Sequence, residues 1–264
     1  MRSELPPYEA IDLPWLAKAG VRCGFTTRYG GVSPEPYASL NLAFHVGDDA
    51  QLVRQNRAIL EHGLDAHLVW MDQVHGSEVK DAQSAQLVGD SWSVGDADAI
   101  IVERSSIRPG SSQGAAVMVA DCVPLILVDQ TGARTAVVHV GRAGFEQGIA
   151  GKVVGEMCKR GTQRAQLHAF IGPSICGNCY ELPAQMVEVF ERTAPWAVSI
   201  TSWGTPALDI PAGLEHQLRA LELAQVVRHG ACTLESHKYF SHRRAGKAGT
   251  STGRFAGYAV LSRE

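Results

Sequence analysis

The chain has no apolar run approaching the length of about 20 residues that a bilayer span requires, so no membrane partner is expected. It also lacks a strong charge of either sign: 24 lysines and arginines against 27 aspartates and glutamates leave a formal net charge of -3. That balance removes any global pull toward nucleic acid or an anionic lipid surface, although a local basic patch can still hold a small anion. The opening stretch MRSELPPYEAIDLPWLAKAG is interrupted by prolines and acids and has no apolar segment, so neither a secretory signal nor a transit peptide is expected, and the expected compartment is the cytoplasm. There is no G-x-G-x-x-G, no Walker phosphate loop, no His-x-His pair, no internal repeat and no low-complexity tract. The first two absences remove the common dinucleotide and nucleoside-triphosphate signatures. The third argues against multicopper electron transfer, which needs histidines in paired sets. Cysteine is sparse, with six at positions 23, 122, 158, 176, 179 and 232. In a chain this long without a signal, these read as free thiols, either buried, catalytic or metal-binding, and not as a disulfide framework.

What is present is an ordinary globular composition, 45% hydrophobic and 19% charged over 264 residues, long enough to bury a sizeable core without staples. A single domain over residues 1–264 is expected. The loosest internal segment, SSIRPGSSQG at 105–114, lies between two apolar runs and reads as a surface loop. Strands are predicted over residues 21–27, 99–102, 115–120, 124–129, 134–140 and 166–171, with the QTGA turn at 130–133 joining an antiparallel pair. Asp49 is placed to cap a helix that Gly63 would stop, a helix is predicted over about 145–160, and two more over 183–192 and 209–223, the last with Asp209 as cap and Pro211 in its first turn. Strands cluster in the middle with helices between and after them, which favours an α+β fold with a mixed sheet.

Two places put polarity where apolar periodicity would exclude it, and a third is a histidine in a polar break. Asp121 and Cys122 interrupt AAVMVADCVPLILVD, His139 sits near the end of AVVHV before Gly141 and Gly144, and His75 lies in the polar break DQVHGSEV. Taken singly, each has a plain reading: a buried small thiol, a hydrogen-bonded core histidine, a loop histidine. Taken together, two histidines and a cysteine suit zinc, and three protein ligands are the mark of a catalytic rather than a structural site. The separations of 47 and 17 residues do not by themselves distinguish a site from three unrelated residues. The strand, glycine-rich turn and helix start around Gly141 form an arrangement suited to an anion. Cys176-Gly-Asn-Cys179 is one C-x-x-C with no second pair to complete a four-cysteine site.

The segments GFTTRYGGVS, SLNLAFHVGDD, QVHG, DADAIIV, ADCVPLI, the His139-x-Gly141 step, GPSI…CYE and FSHRR…TGR occur in an order that resembles the YfiH-like family, also called laccase-domain or peptidoglycan-editing-factor proteins, over residues 24–258. The resemblance implies a single-domain, four-layer αββα fold with mixed sheets. It implies a metal, zinc in preference to copper, on His75, Cys122 and His139. It further implies purine nucleoside phosphorylase activity on adenosine, inosine and methylthioadenosine, with adenosine deamination as a companion reaction; purine nucleoside and phosphate would be the partners. Two rival activities travel with the family names: copper-dependent polyphenol oxidation, and editing of mis-made peptidoglycan precursors carrying muramyl-serine. The latter suits a metal-free cysteine hydrolase with Cys122 as nucleophile and His139 or His75 as its base.

By their places in these motifs, Arg28 is expected to grip phosphate and Asn41 to hold a ribose hydroxyl. Asp121 is the expected proton shuttle, Tyr180 and Cys179 the expected pocket border, and Arg243 and Arg254 the expected cations facing an anionic substrate. Arg244 and Lys247 read as solvated, and Asp48 and Asp49 as helix caps. One departure stands out. After its second histidine the family usually carries Gly-Trp followed by a basic residue and Gly, whereas here the run is Gly141-Arg142-Ala143-Gly144, so Arg142 takes the place of an aromatic that would face the substrate.

Overall fold

A computed structural model describes residues 7–264. Residues 1–6, the start of the stretch read for targeting signals, lie outside the described residues. Two mixed sheets stack face to face. One has seven strands, in the order Tyr8–Ala10, Val21–Thr26, Phe255–Arg263, Ser111–Val119, His67–Asp72, Ser91–Asp96, Gln86–Val88. The other has six, in the order Gln225–Arg228, Leu167–Ile171, Val123–Asp129, Arg134–Val140, Ala99–Glu103, Val79–Asp81.

Runs such as Val123–Asp129 are buried along their whole length because both faces of their sheet are covered. Alternate side chains of the two sheets interdigitate between them, with Phe25, Val117 and Phe255 from one sheet against Ile126, Val137 and Phe170 from the other. The outer face of the six-stranded sheet carries Leu125, Leu127 and Val138 into contact with the helices Ile149–Lys159, Ala184–Thr193 and Ile210–Arg219. The outer face of the seven-stranded sheet meets Leu60 and Leu64 of the helix Ala50–Leu64, together with Leu40 and Leu42. The layers are therefore helix, sheet, sheet, helix, the four-layer αββα arrangement expected.

Asp49 does cap the helix Ala50–Leu64, accepting from the Gln51 N–H at 2.7 Å. Gly63 does not stop it. The helix runs through that glycine and ends at Asp65, which takes the left-handed conformation at φ 47°; aspartate tolerates that region better than most residues. The helix expected over 145–160 is two helices, Arg142–Glu146 and Ile149–Lys159, separated by Gly148 at φ 69°. The 105–114 segment is a loop only in its first half. From Ser111 onward it is strand, with Ser111 opposite Arg263; a partner 152 positions away supplies the ladder that local composition does not reveal.

The sheets approach closely where Gly172, which follows Leu167–Ile171, faces Phe25. A Cβ added at Gly172 would lie 2.3 Å from the Phe25 ring and 2.7 Å from Pro124. Gly172→Ala is therefore expected to lower stability by roughly 1–3 kcal/mol through overpacking, measured as a drop in the urea midpoint with an unchanged slope. A variant as stable as the parent would mean that the sheets separate there without penalty.

Candidate metal centre and active site

The strands His67–Asp72, Ser91–Asp96 and Ser111–Val119 are parallel neighbours in the seven-stranded sheet. Each is followed directly by a crossing into the six-stranded sheet, to Val79–Asp81, Ala99–Glu103 and Val123–Asp129 respectively. Because the three strands are parallel, all three crossings fall at the same end of the stack. His75 lies on the first, Asp98 on the second, and Asp121 with Cys122 on the third. His139 closes the group from the end of Arg134–Val140, whose neighbours are Ala99–Glu103 and Val123–Asp129. The polar interruption in the apolar run around residues 121–122 is thus the point where the chain changes sheets.

The donor atoms of His75, Cys122 and His139 lie within 4.8 Å of one another. Cys122 Sγ is 3.9 Å from His75 Nε2, and the two imidazoles meet edge to face with centroids 4.7 Å apart. The fully buried Asp98 carboxylate organises the cluster. Its Oδ1 lies 2.8 Å from His139 Nδ1 and accepts the His75 backbone N–H at 3.1 Å, while Oδ2 accepts the Gly76 N–H at 2.6 Å. A carboxylate only accepts, so His139 carries its proton on Nδ1 and turns Nε2 toward Cys122. The same N–H donors hold a backbone that is otherwise unfavourable, since His75 sits at φ 58°.

Burial raises the Cys122 thiol, but the imidazoles, His139 foremost, outweigh it and bring the thiol down to about 6. Burial likewise lowers His139, but Cys122 and Asp98 outweigh it and lift His139 to about 9. Asp98 is kept below the ordinary carboxylate value: burial opposes this, and hydrogen bonds from His139 and the Gly76 N–H prevail. A thiolate beside an imidazolium is a site where a divalent cation can take the place of the shared proton. Two imidazoles and one thiolate, converging with room for a fourth ligand, fit a single metal ion. Gly141 backs the cluster closely. A Cβ there would lie 3.0 Å from the His75 ring and 3.4 Å from Cys122 Sγ, so the chain passes where a side chain would crowd the ligands.

Two cavities border the cluster, of about 450 Å³ and about 200 Å³, and both touch His75, Cys122 and His242. The larger is walled by Val123, Val140, Ile175 and Ile210, with Tyr180, Gly141, Arg142, Asp121 and Arg243 at its polar side. The smaller holds Arg254, His45, Gln73 and His139. Arg243 packs its guanidinium 5.4 Å from the Tyr180 ring centroid and donates to the Glu181 carbonyl at 3.0 Å. Arg254 donates to the carbonyls of Thr252 and Gly253 and is otherwise turned to the smaller cavity.

Four expectations are displaced by this geometry. Asn41 is fully buried and its amide is consumed internally, by Asp48 at 2.8 Å, the Ala43 carbonyl at 3.0 Å and the Arg254 N–H at 2.9 Å, so it braces the wall behind Arg254 and reaches no ribose. Arg28 lines neither cavity. It donates to the Ala38 carbonyl at 2.6 Å, pairs with Glu35 at 3.6 Å and stacks 4.9 Å from the Phe240 centroid, a bracing role in place of phosphate contact. Asp121 borders the larger cavity, but both its oxygens accept, from the Thr233 hydroxyl at 2.6 Å and the Arg243 N–H at 2.7 Å. An acceptor engaged on both sides ties two loops together. Asp48 supports Asn41 and leaves the capping to Asp49.

Sequence reasoning missed Asp98, His45 and His242. Asp98 lies within the DADAIIV segment, but nothing local assigns it a role, because its partner His139 lies 41 positions on. Histidines 45 and 242 lie within the SLNLAFHVGDD and FSHRR segments, but nothing in their local sequence assigns either one a role.

A family described as multi-copper polyphenol oxidoreductase laccase matches residues 22–262. The chain is 38% identical over 248 residues to a purine nucleoside phosphorylase of Streptomyces coelicolor, covering 92% of this chain and 96% of that one. It is 40% identical over 246 residues to one of Streptomyces griseus, covering 90% and 93%. Among solved structures, a Neisseria meningitidis protein superposes with a TM-score of 0.82 at 29% identity over 97% of this chain and all of that one. YlmD from Geobacillus stearothermophilus superposes with a TM-score of 0.80 at 28% identity, covering 100% and 98%.

Asp98→Asn is expected to remove both the charge that orients His139 and one of the two acceptor oxygens that hold His139 and the His75–Gly76 backbone. Divalent-metal affinity should fall by about 10–100-fold, as for other losses of a ligand's supporting carboxylate. Competition with a chromophoric chelator measures it; unchanged affinity would show that His139 does not depend on Asp98.

Proposed function

The chain belongs to the family described as multi-copper polyphenol oxidoreductase laccase, and from that membership and the site's geometry we propose that it is a zinc-dependent purine nucleoside phosphorylase. Its substrates in this reading are adenosine, inosine and methylthioadenosine with phosphate, in the cytoplasm, and adenosine deamination is a side reaction. The observation that carries the reading is the meeting of two unlike cavities at one His-Cys-His cluster. One is large, mostly apolar and bordered by a tyrosine; the other is small and holds an arginine and histidines. Relatives named purine nucleoside phosphorylase at 32–40% identity support it.

Zinc on His75, Cys122 and His139 would supply Lewis acidity and, for deamination, activate a water. The chain's own residues do the rest. A cavity of about 450 Å³ is of the size that takes a nucleoside. Val140 and Ile210 offer apolar walls to the purine and Tyr180 an aromatic edge. Arg254 holds phosphate as an anion in the adjoining recess, with His45 and His242 as hydrogen-bond partners. Phosphate oxygen then bonds to the anomeric carbon as the carbon–nitrogen bond breaks, and the electron pair leaves with the base. Asp98 keeps His139 in one tautomer throughout, so the cluster presents a fixed set of donors. Arg142, standing where the family's tryptophan does, places a cation at the mouth of the larger cavity. Zinc is preferred to copper in this reading because multicopper electron transfer needs histidines in paired sets, and the sequence has no His-x-His pair.

A second reading has its own observation. Cys122, His139 and Asp98 also form a nucleophile, base and orienting carboxylate, with the thiol brought down to about 6. A metal-free cysteine hydrolase acting on muramyl-serine precursors would use that line.

Purified enzyme incubated with inosine or adenosine is expected to release free base and ribose 1-phosphate only when phosphate is present, with a rate that saturates in phosphate. Arg254→Ala should raise the KM for phosphate roughly 10-fold or more and that for nucleoside far less, since one charge-assisted contact is worth about 1.5–3 kcal/mol. Equal base release without phosphate would mean hydrolysis. Full activity after chelation, with cleavage of a muramyl-serine precursor and none of any nucleoside, would defeat the phosphorylase and favour the cysteine hydrolase.

A further inference from the structure

We propose that Cys176, Cys179, Cys232 and Glu235 form a second divalent-metal site, a closed four-ligand zinc clamp that joins two loops beside the larger cavity. The proposal is independent of the reaction assigned above.

Their four donor atoms lie within 4.8 Å of one another. Tetrahedral zinc with thiolate bonds near 2.3 Å sets sulfurs about 3.8 Å apart, so only a small contraction is needed. The fold explains the convergence. Leu167–Ile171 and Gln225–Arg228 are parallel neighbours, so the loops that follow them leave the sheet at the same end. Those loops are stitched together further out, where the Ser174 N–H donates to the Ala231 carbonyl at 3.3 Å and the Thr233 N–H to the Ser174 carbonyl at 3.0 Å. Within the C-x-x-C turn, the N–H groups of Cys179 and Tyr180 both donate to the Cys176 carbonyl at 3.0 Å, which folds the turn so that the two sulfurs face the same way. Cys179 Sγ already contacts Glu235 Oε1 at 3.7 Å. The second pair that the cysteine pattern lacks is therefore C-x-x-E at 232–235, which no cysteine count could identify.

Three thiols and a carboxylate are soft and acidic donors with the composition of a closed structural site rather than an open catalytic one. Cys179 and Cys232 are buried and Cys176 half-buried, while the exposed Glu235 closes the cluster on its solvent side. Arg244, expected to be solvated, donates instead to the carbonyls of Thr233, Leu234 and Ser236 at 2.7, 3.0 and 3.2 Å and so shapes the loop that carries Cys232 and Glu235. A metal here would hold Tyr180, adjacent to Cys179, against the larger cavity. It would also brace the segment leading to His242 and Arg243.

Protein purified in reductant without added metal is expected to contain about two zinc per chain by elemental analysis, one for each cluster. Cys176→Ser and Glu235→Gln should each lower the content toward one, whereas His75→Ala should remove the other ion and leave this one. Should the variants fold poorly, cobalt exchanged into the unaltered protein gives a separate reading. Thiolate-to-cobalt absorption of four-thiolate strength is expected, three from this site and one from Cys122. Absorption of a single thiolate, one zinc that His75→Ala abolishes, or a disulfide linking any two of these cysteines in a peptide map would each overturn the proposal.

Discussion

The Asp98 carboxylate is the constraint on which the site depends. It is fully buried, and burying a charge without partners is strongly unfavourable. Three donors satisfy it: the His139 ring and the N–H groups of His75 and Gly76. Those hydrogen bonds set the His139 tautomer, hold His75 at a positive φ and bring one crossing of the sheets against another. A single acidic side chain thus joins the sheet crossover that bears it, a neighbouring crossover, and the strand that bears the second imidazole.

The location of the site follows from topology. Parallel strands end together, and three of them cross to the second sheet at one edge. Such crossings necessarily interrupt ladder pairing, so their backbone groups seek side-chain partners. Asp98 and Asp121 supply these, Asp98 to the residues around His75 and Asp121 to the loops that carry Thr233 and Arg243. The residues of the His-Cys-His cluster therefore stand on a rigid double sheet, while the cavity walls come in part from loops braced by Arg28, Asn41 and Arg244. Arginines that sequence position alone would assign to substrate or solvent instead serve as internal braces, because each has backbone carbonyls in reach that would otherwise be unpaired.

The electrostatics of the cluster suit more than one chemistry. A thiol brought down to about 6 beside an imidazole raised to about 9 is equally a metal ligand set awaiting a cation and a nucleophile with its base. The cavities add a second contrast, since a small recess holding Arg254 adjoins a larger space with apolar walls.

Much of the fold was legible in the residues. The apolar runs 124–129 and 134–140 read as an antiparallel pair and are one, because strands covered on both faces cannot hide their composition. Asp49 and Asp209 read as caps and do cap, accepting from the N–H groups of Gln51 and Ala212, because capping is settled within one turn. Cys122 and His139 drew attention as polarity inside apolar surroundings, and His75 as a histidine in a polar break. Motif order pointed to their convergence, whereas spacing alone did not establish it. What only the tertiary structure decided is everything that spans distance: that Asp98 serves His139 while Asp121 ties two loops, that Asn41 and Arg28 turn inward, that the helix expected over about 145–160 is two helices divided at Gly148, and that Cys232 and Glu235 arrive beside Cys176 and Cys179. Local propensity acts over a few residues, whereas a buried charge finds its partner through the packing of two sheets, and no pattern along the chain records which crossing will meet which.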